Sequence, residues 1–295
     1  MSSPGPLIIE AAINGATMKA MQPHVPRSVA EIVADALVCL NAGAAIIHHH
    51  TDDALLVGRH ATEPYRDAWT AILAAAPDAI LYPTMGGGGA HTSIRERYAH
   101  VEELADLGLL RLALVDPGSV SLGPLDADGL PMAIDLVYQN TFADARYMFD
   151  VCAGRALAAH VSIFEPGFLR VALAYRARGR LPPGKIQLYF GGDALPFGLP
   201  PTAASLDAYR GMLAGTELPW MVGVIGGDVG ATLAELAIAR GGHVRVGLED
   251  YTGPGEPQNA ELVRAIVAMA ERAGRRIATP REAAAILRLP PARVR

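Results

Sequence analysis

The chain has 295 residues and a mass of 31.0 kDa, a size that suits one (β/α)8 barrel or one open α/β sheet. Its 25 Lys and Arg stand against 30 Asp and Glu, a formal net charge of −5, which excludes the basic footprint of a nucleic-acid binder. Cys39 and Cys152 are its two cysteines, too few for a disulfide framework or a cysteine-rich zinc site, and no apolar run approaches the length of a membrane span.

Hydrophobic residues make up 51 % and charged residues 19 %, with a mean hydropathy of +0.24. This composition predicts a large core and a buried interface between copies, hence a homo-oligomer (dimer or tetramer). The start, Met1 to Pro6, lacks the basic and apolar stretches of a signal peptide. The expectation is a cytoplasmic protein with no membrane partner.

Along the chain, short apolar runs alternate with longer helical patterns. A first strand is expected over 7–13. Ser28 and Glu31 have capping-box spacing and open a helix that runs to about Asn41. A second strand over 45–50 is followed by a helix over 65–75. A third strand over 80–84 precedes a helix over 94–107. The fourth strand, 112–115, leads into a loop over 116–130 broken by Gly and Pro, then a helix over 142–153. A fifth strand over 159–163 precedes a helix starting at Pro166, a favoured first-turn position. A sixth strand (185–189), helix (205–214), seventh strand (220–225), helix (231–240) and eighth strand (244–248) continue the alternation. Helices over 259–273 and after Pro280 close it. Eight strands, each followed by a helix, predict a (β/α)8 TIM barrel, one domain over 1–295 with a short C-terminal helical extension. An open doubly wound sheet is the alternative; its dinucleotide-binding version is disfavoured because Asn14, Gly15, Ala16 and Thr17 stand where a Gly-x-Gly-x-x-Gly turn would be.

In such a barrel the chemistry gathers at the carboxyl ends of the strands. Those ends carry Asn14-Gly15, His48-His49-His50, Thr84 with Gly86 to Gly89, Asp116, Glu165, Gly226-Gly227-Asp228 and Glu249-Asp250. Side chains alternate on a strand, so His48 and His50 share one face, about 7 Å apart, and His49 points the other way. Two imidazoles on the inner face suit a Zn2+ ion, with Glu249 as third ligand because strands two and eight both flank strand one. Arg245, Gly247 and Glu249 are expected on one face. A guanidinium inside a barrel needs an anion, either substrate or a structural partner among Glu249, Asp250 and Glu10. Asp250 at the rim is placed to act as a base. The glycines after strand three, Gly86 and Gly87 among them, and Asn14 at the tip of strand one, are candidate substrate-binding positions. The face of Glu10 is left open, and His24, His60, His91, His100 and His160 read as solvated or core residues.

These features together resemble the β-keto acid cleavage enzyme family. The resemblance rests on Ile13-Asn14-Gly15-Ala16, on Ile47-His48-His49-His50, on the run from Gly241 to Asp250, and on Ala278 to Ala283. It implies a zinc-dependent (β/α)8 barrel, usually oligomeric, that condenses a β-keto acid with acetyl-CoA and releases acetoacetate and a new acyl-CoA. Carried over, His48, His50 and Glu249 match the zinc ligands, Asp250 the general base, and Arg245 the arginine that assists it. The family serine after strand three is replaced by Pro83, so its hydroxyl role is missing or passes to Thr84. Leu114 replaces a threonine. Two acids that hold a substrate ammonium fall at Thr17 and Ser162, which implies a keto-acid tail that is not a cationic amine. Competing readings are another metal-dependent lyase or hydrolase on a barrel, and a barrel that only binds a metal or metabolite.

Overall fold

The computed structural model describes residues 5–53, 55–87 and 91–292. Eight parallel strands carry the fold: β1 (Ile9–Ala12), β2 (Ile46–His49), β3 (Ile80–Pro83), β4 (Leu112–Val115), then, after the short hairpin strands β5 (Val120–Ser121) and β6 (Val137–Tyr138), β7 (Ala158–Ile163), β8 (Gly184–Gly191), β9 (Trp220–Ile225) and β10 (His243–Val246). They hydrogen-bond in the order β3-β2-β1-β10-β9-β8-β7-β4. β3 and β4 lie side by side, so the sheet curls into a nearly closed TIM barrel. The strands are Val-, Ile-, Leu- and Ala-rich and buried on both faces, as parallel strands covered by helices must be.

The helices are α1 (Val29–Ala42), α2 (Arg59–Ala75), α3 (Ile94–Asp106), α4 (Phe142–Gly154), α5 (Pro166–Ala177), α6 (Ala203–Leu213), α7 (Val229–Thr232), α8 (Ala234–Ala239), α9 (Asn259–Arg272) and α10 (Pro280–Ile286). Ser28 and Glu31 form the expected capping box on α1, and Gly43 closes that helix at φ 119°. Both cysteines are buried and unpaired.

Four features depart from the sequence expectation. α2 starts at Arg59, with Pro64 inside it; so near a helix start, proline forfeits a single ladder bond. The loop after β4 contains the antiparallel pair β5–β6, two residues a side and too short to leave a periodic signal. The helix expected over 231–240 is two pieces, because Asp228 caps a short α7 and the chain breaks at Leu233. The last strand ends at Val246, not Leu248. Gly247 has φ 148°, and a Cβ there would overlap the Ala12 carbonyl. The chain turns instead, with the Asp250 and Tyr251 N–H groups donating to Gly247 O at 3.2 and 3.1 Å.

Candidate metal centre and active site

Register sets the site. β2 pairs with β1 so that His48 stands beside Ala12, and β1 pairs with β10 so that Glu10 stands beside Arg245. His48 Nε2 lies 3.3 Å from Glu249 Oε2, and His50 Nε2 lies 3.2 Å from Glu249 Oε1. One ligand atom from each of the three residues lies within 4.8 Å of the others, and among the described residues no other cluster of this kind is found. His49 faces outward, where its Nε2 accepts from Trp69 Nε1 at 2.7 Å.

Backbone groups hold the trio in shape. His48 Nδ1 lies 3.2 Å from the Tyr82 carbonyl, which fixes the proton on Nδ1 and leaves Nε2 with a lone pair. The Asn14 side chain accepts from the His50 N–H at 2.8 Å and donates to the His50 and Pro26 carbonyls at 3.1 Å. Gly15 is left-handed, and a Cβ there would overlap Glu249 Cγ.

The trio fits a divalent cation. Glu249 Oε2 is buried and has no hydrogen-bond donor, the mark of a site that expects a positive charge. Burial holds His48 neutral against the pull of Glu249. Burial works against ionisation of Glu249, but Arg245 and the two histidines keep it well below the usual carboxylate range. Two nitrogens and a carboxylate are donors that zinc accepts with a position left open.

Arg245 is 1 % exposed and binds three carboxylates. Nε and Nη2 reach Asp250 at 2.7 and 3.1 Å, Nη2 reaches Glu249 at 2.8 Å, and Nη1 reaches Glu10 at 3.2 Å. Glu10 thus points into the barrel. The Tyr82 hydroxyl donates to that same oxygen, Oε1, and the other, Oε2, pairs with Lys185 Nζ at 2.9 Å. Burial lowers the Lys185 ammonium to about 8 against the opposing pull of Glu10. The cluster holds three carboxylates against two cations, so a divalent ion would turn a net negative site into one that favours an anion. Burial pushes Asp250 up, and Arg245 pulls it back.

The remaining candidates make other contacts. Asn14 spends its whole amide on backbone. The Thr17 hydroxyl donates to Leu248 O at 3.0 Å. Thr84 is half-buried at the end of β3, its N–H donating to the Tyr65 hydroxyl at 3.2 Å. Gly86 donates its N–H to Arg97 O at 3.1 Å, Gly87 is exposed, and Gly88 and Gly89 lie outside the described residues. Ser162 is on β7, three strands from β2 and from β10 in the ring, beside the buried Asp116, to which the Tyr138 hydroxyl also donates. Sequence reasoning missed Tyr82, Lys185 and the Asp116–Tyr138 pair. A lone lysine in an apolar strand was the available signal for Lys185.

Fold and site define a parallel barrel with an imidazole–carboxylate cluster and a buried Arg–Asp pair at the carboxyl ends of its strands. The chain belongs to the beta-keto acid cleavage enzyme family, whose profile matches residues 6–289. It is 32 % identical to a 3-keto-5-aminohexanoate cleavage enzyme of Fusobacterium nucleatum, over 96 % of this chain and 98 % of that one. It is 28 % identical to a 3,5-dioxohexanoate:acetyl-CoA acetone transferase of Paraburkholderia graminis, over 98 % and 97 %. The structure of ObcA without ligand superposes with a TM-score of 0.69 at 17 % identity, over 90 % of this chain and 66 % of that one, a likeness of fold.

Proposed function

We propose that the protein is a zinc-dependent enzyme that condenses a β-keto acid with acetyl-CoA and cleaves the product to acetoacetate and a new acyl-CoA. The observation that carries this reading is the convergence of His48, His50 and Glu249 beside an Asp250 held by Arg245. His48, His50 and Glu249 hold the ion, which when bound supplies Lewis acidity toward the oxygens of a β-keto acid and makes its α-proton easier to remove. Asp250 takes that proton, and Arg245 steers its carboxylate and spreads the changing charge. The substrate carbanion attacks the acetyl thioester carbonyl and releases the CoA thiolate. The thiolate then attacks the original keto carbonyl, and the carbon–carbon bond breaks to give acyl-CoA and the acetoacetate carbanion, which takes back the proton held by Asp250. Acetyl-CoA as co-substrate is supported by the name of the Paraburkholderia relative.

The keto-acid tail is not a cationic amine. Thr17 and Ser162 carry no charge, and the nearby carboxylates are already engaged: Glu10 by Lys185 and Arg245, Glu165 by the Gly198 N–H, Asp116 by Tyr138. Thr84, Gly86 and Gly87, which follow β3, are assigned to substrate binding. The enzyme works as a homo-oligomer, a dimer or tetramer.

The test is metal analysis of the purified protein, followed by incubation with acetyl-CoA and a panel of β-keto acids. Mass spectrometry then reads acetoacetate and acyl-CoA. Zinc near one per chain with a matched acyl-CoA product is expected. Metal without product across neutral, anionic and cationic tails would defeat the reading.

A further inference from the structure

A cavity lies on the outside of the barrel, among its helices. It is a groove of about 820 Å3 between α4 and α5, walled by Phe142, Ala145, Val171 and Tyr175 and flanked by Arg146 and Arg170. Phe142 is 77 % exposed, the barest large apolar side chain among the described residues. Neither arginine makes an ion pair among the described residues.

The segment just before α4 is its chemical complement. Residues 126–137 form a flap between β5 and β6, exposed at every position. Leu130, Met132, Ile134, Leu136 and Val137 each leave 44 % or more of their surface bare. Asp126, Asp128 and Asp135 are interspersed with them, and the flap has no Lys or Arg. Among the described residues its ties lie at its base: the β5–β6 pair, the Leu125 N–H donating to Ala194 O at 3.0 Å and the Met132 N–H to Pro124 O at 3.0 Å, and Tyr138 on Asp116. Half of the twelve exposed large hydrophobics among the described residues fall within 130–142, so the apolar surface is concentrated rather than scattered. A contiguous bare patch of several hundred Å2 marks a contact surface.

We infer that the flap of one chain docks into the α4–α5 groove of a second copy, apolar side chains in the groove and flap aspartates against Arg146 and Arg170. The inference rests on the homo-oligomer proposed above and names the surface that makes it. Every chain carries both a flap and a groove, so two such contacts close around a two-fold axis. Charge complementarity favours a second copy over an unrelated partner, because acidic flap and basic groove belong to one sequence.

The experiment is sedimentation equilibrium of the full chain and two variants. One carries Leu130→Asp and Ile134→Asp in the flap; the other carries Arg146→Glu and Arg170→Glu at the groove. Circular dichroism confirms folding, and Asp135→Lys serves as a milder flap variant. The wild type is expected to assemble, and each variant to fall at least one assembly step, its dissociation constant rising about tenfold or more. An equimolar mixture of flap and groove variants is expected to regain association, since a mixed pair keeps one intact contact. A wild type that stays monomeric in the micromolar range overturns both the inference and the homo-oligomer. A wild type and variants that assemble alike overturn the flap–groove contact and leave the homo-oligomer standing. Variants that lose turnover at unchanged assembly assign the flap to its own barrel mouth and also overturn the inference.

Discussion

Arg245 shows how much one side chain organises here. Its guanidinium touches Glu10, Glu249 and Asp250 at 3.2 Å or less. Breaking such a buried set by removing one member costs about 3–5 kcal/mol, because the others are left uncompensated. Asp250→Asn keeps an oxygen for Arg245 Nε and removes the proposed base. Turnover is expected to fall by at least about a thousandfold while zinc stays bound. Activity within tenfold of wild type would rule out Asp250 as the base. Gly15 makes a second case. At φ 54° an alanine is strained by about 1 kcal/mol, and its Cβ would displace Glu249. Gly274, at φ 66° just past α9 with open space around it, is the matched control. Gly15→Ala is expected to weaken zinc binding about tenfold or more in a chelator competition, as loss of ligand support does. Gly274→Ala should cost similar stability and leave zinc affinity alone. Equal zinc affinity in the two variants would remove Glu249 from the metal site. Both histidines and Glu249 were legible in the sequence because strand alternation and ring order are simple rules. Tyr82 was not, since its contribution combines a backbone carbonyl with a hydroxyl, and neither leaves a motif.

At the scale of elements, boundaries were the less legible part. Alternation predicts Glu249 inward and Asp250 outward, yet both reach Arg245. The reason is Gly247, whose positive φ turns the chain just past β10. α1 offers a prediction that needs no substrate. Asp35 on its buried side accepts from Asn259 at 2.7 Å, and burial raises its carboxyl to about 6. A raised folded pKa means stability that is present below pH 4 and is lost as pH rises through 6. Allowing for partial exposure, that loss is about 2 kcal/mol. Asp35→Asn keeps the acceptor oxygen and cannot ionise. In urea unfolding it is expected to match the wild type at pH 4 and exceed it at pH 7.5. An equal difference at both pH values would show that ionisation of Asp35 is not the cause.

For the molecule as a whole, the eight-fold alternation made the barrel legible, because each apolar run was long enough to register and helices such as α1 and α5 carried their own start signals. The β5–β6 flap, whose strands are two residues long, was invisible. So was closure, which depends on β3 meeting β4 rather than on any local pattern. That meeting has a mechanical consequence. Every other neighbour in the ring is laced by ladder bonds, whereas between β3 and β4 the recorded ties are side-chain staples, with Arg111 donating to the Asp78 and Ala79 carbonyls at 3.2 and 3.3 Å. The barrel therefore has a zip line. Under thermal agitation it should part there first, opening like a split hoop while the opposite wall stays whole. Amide exchange gives the readout: the backbone N–H groups of β3 and β4 that face each other should exchange faster than those shared by β8 and β9. Uniform protection around the ring would mean that the hoop has no preferred place to split.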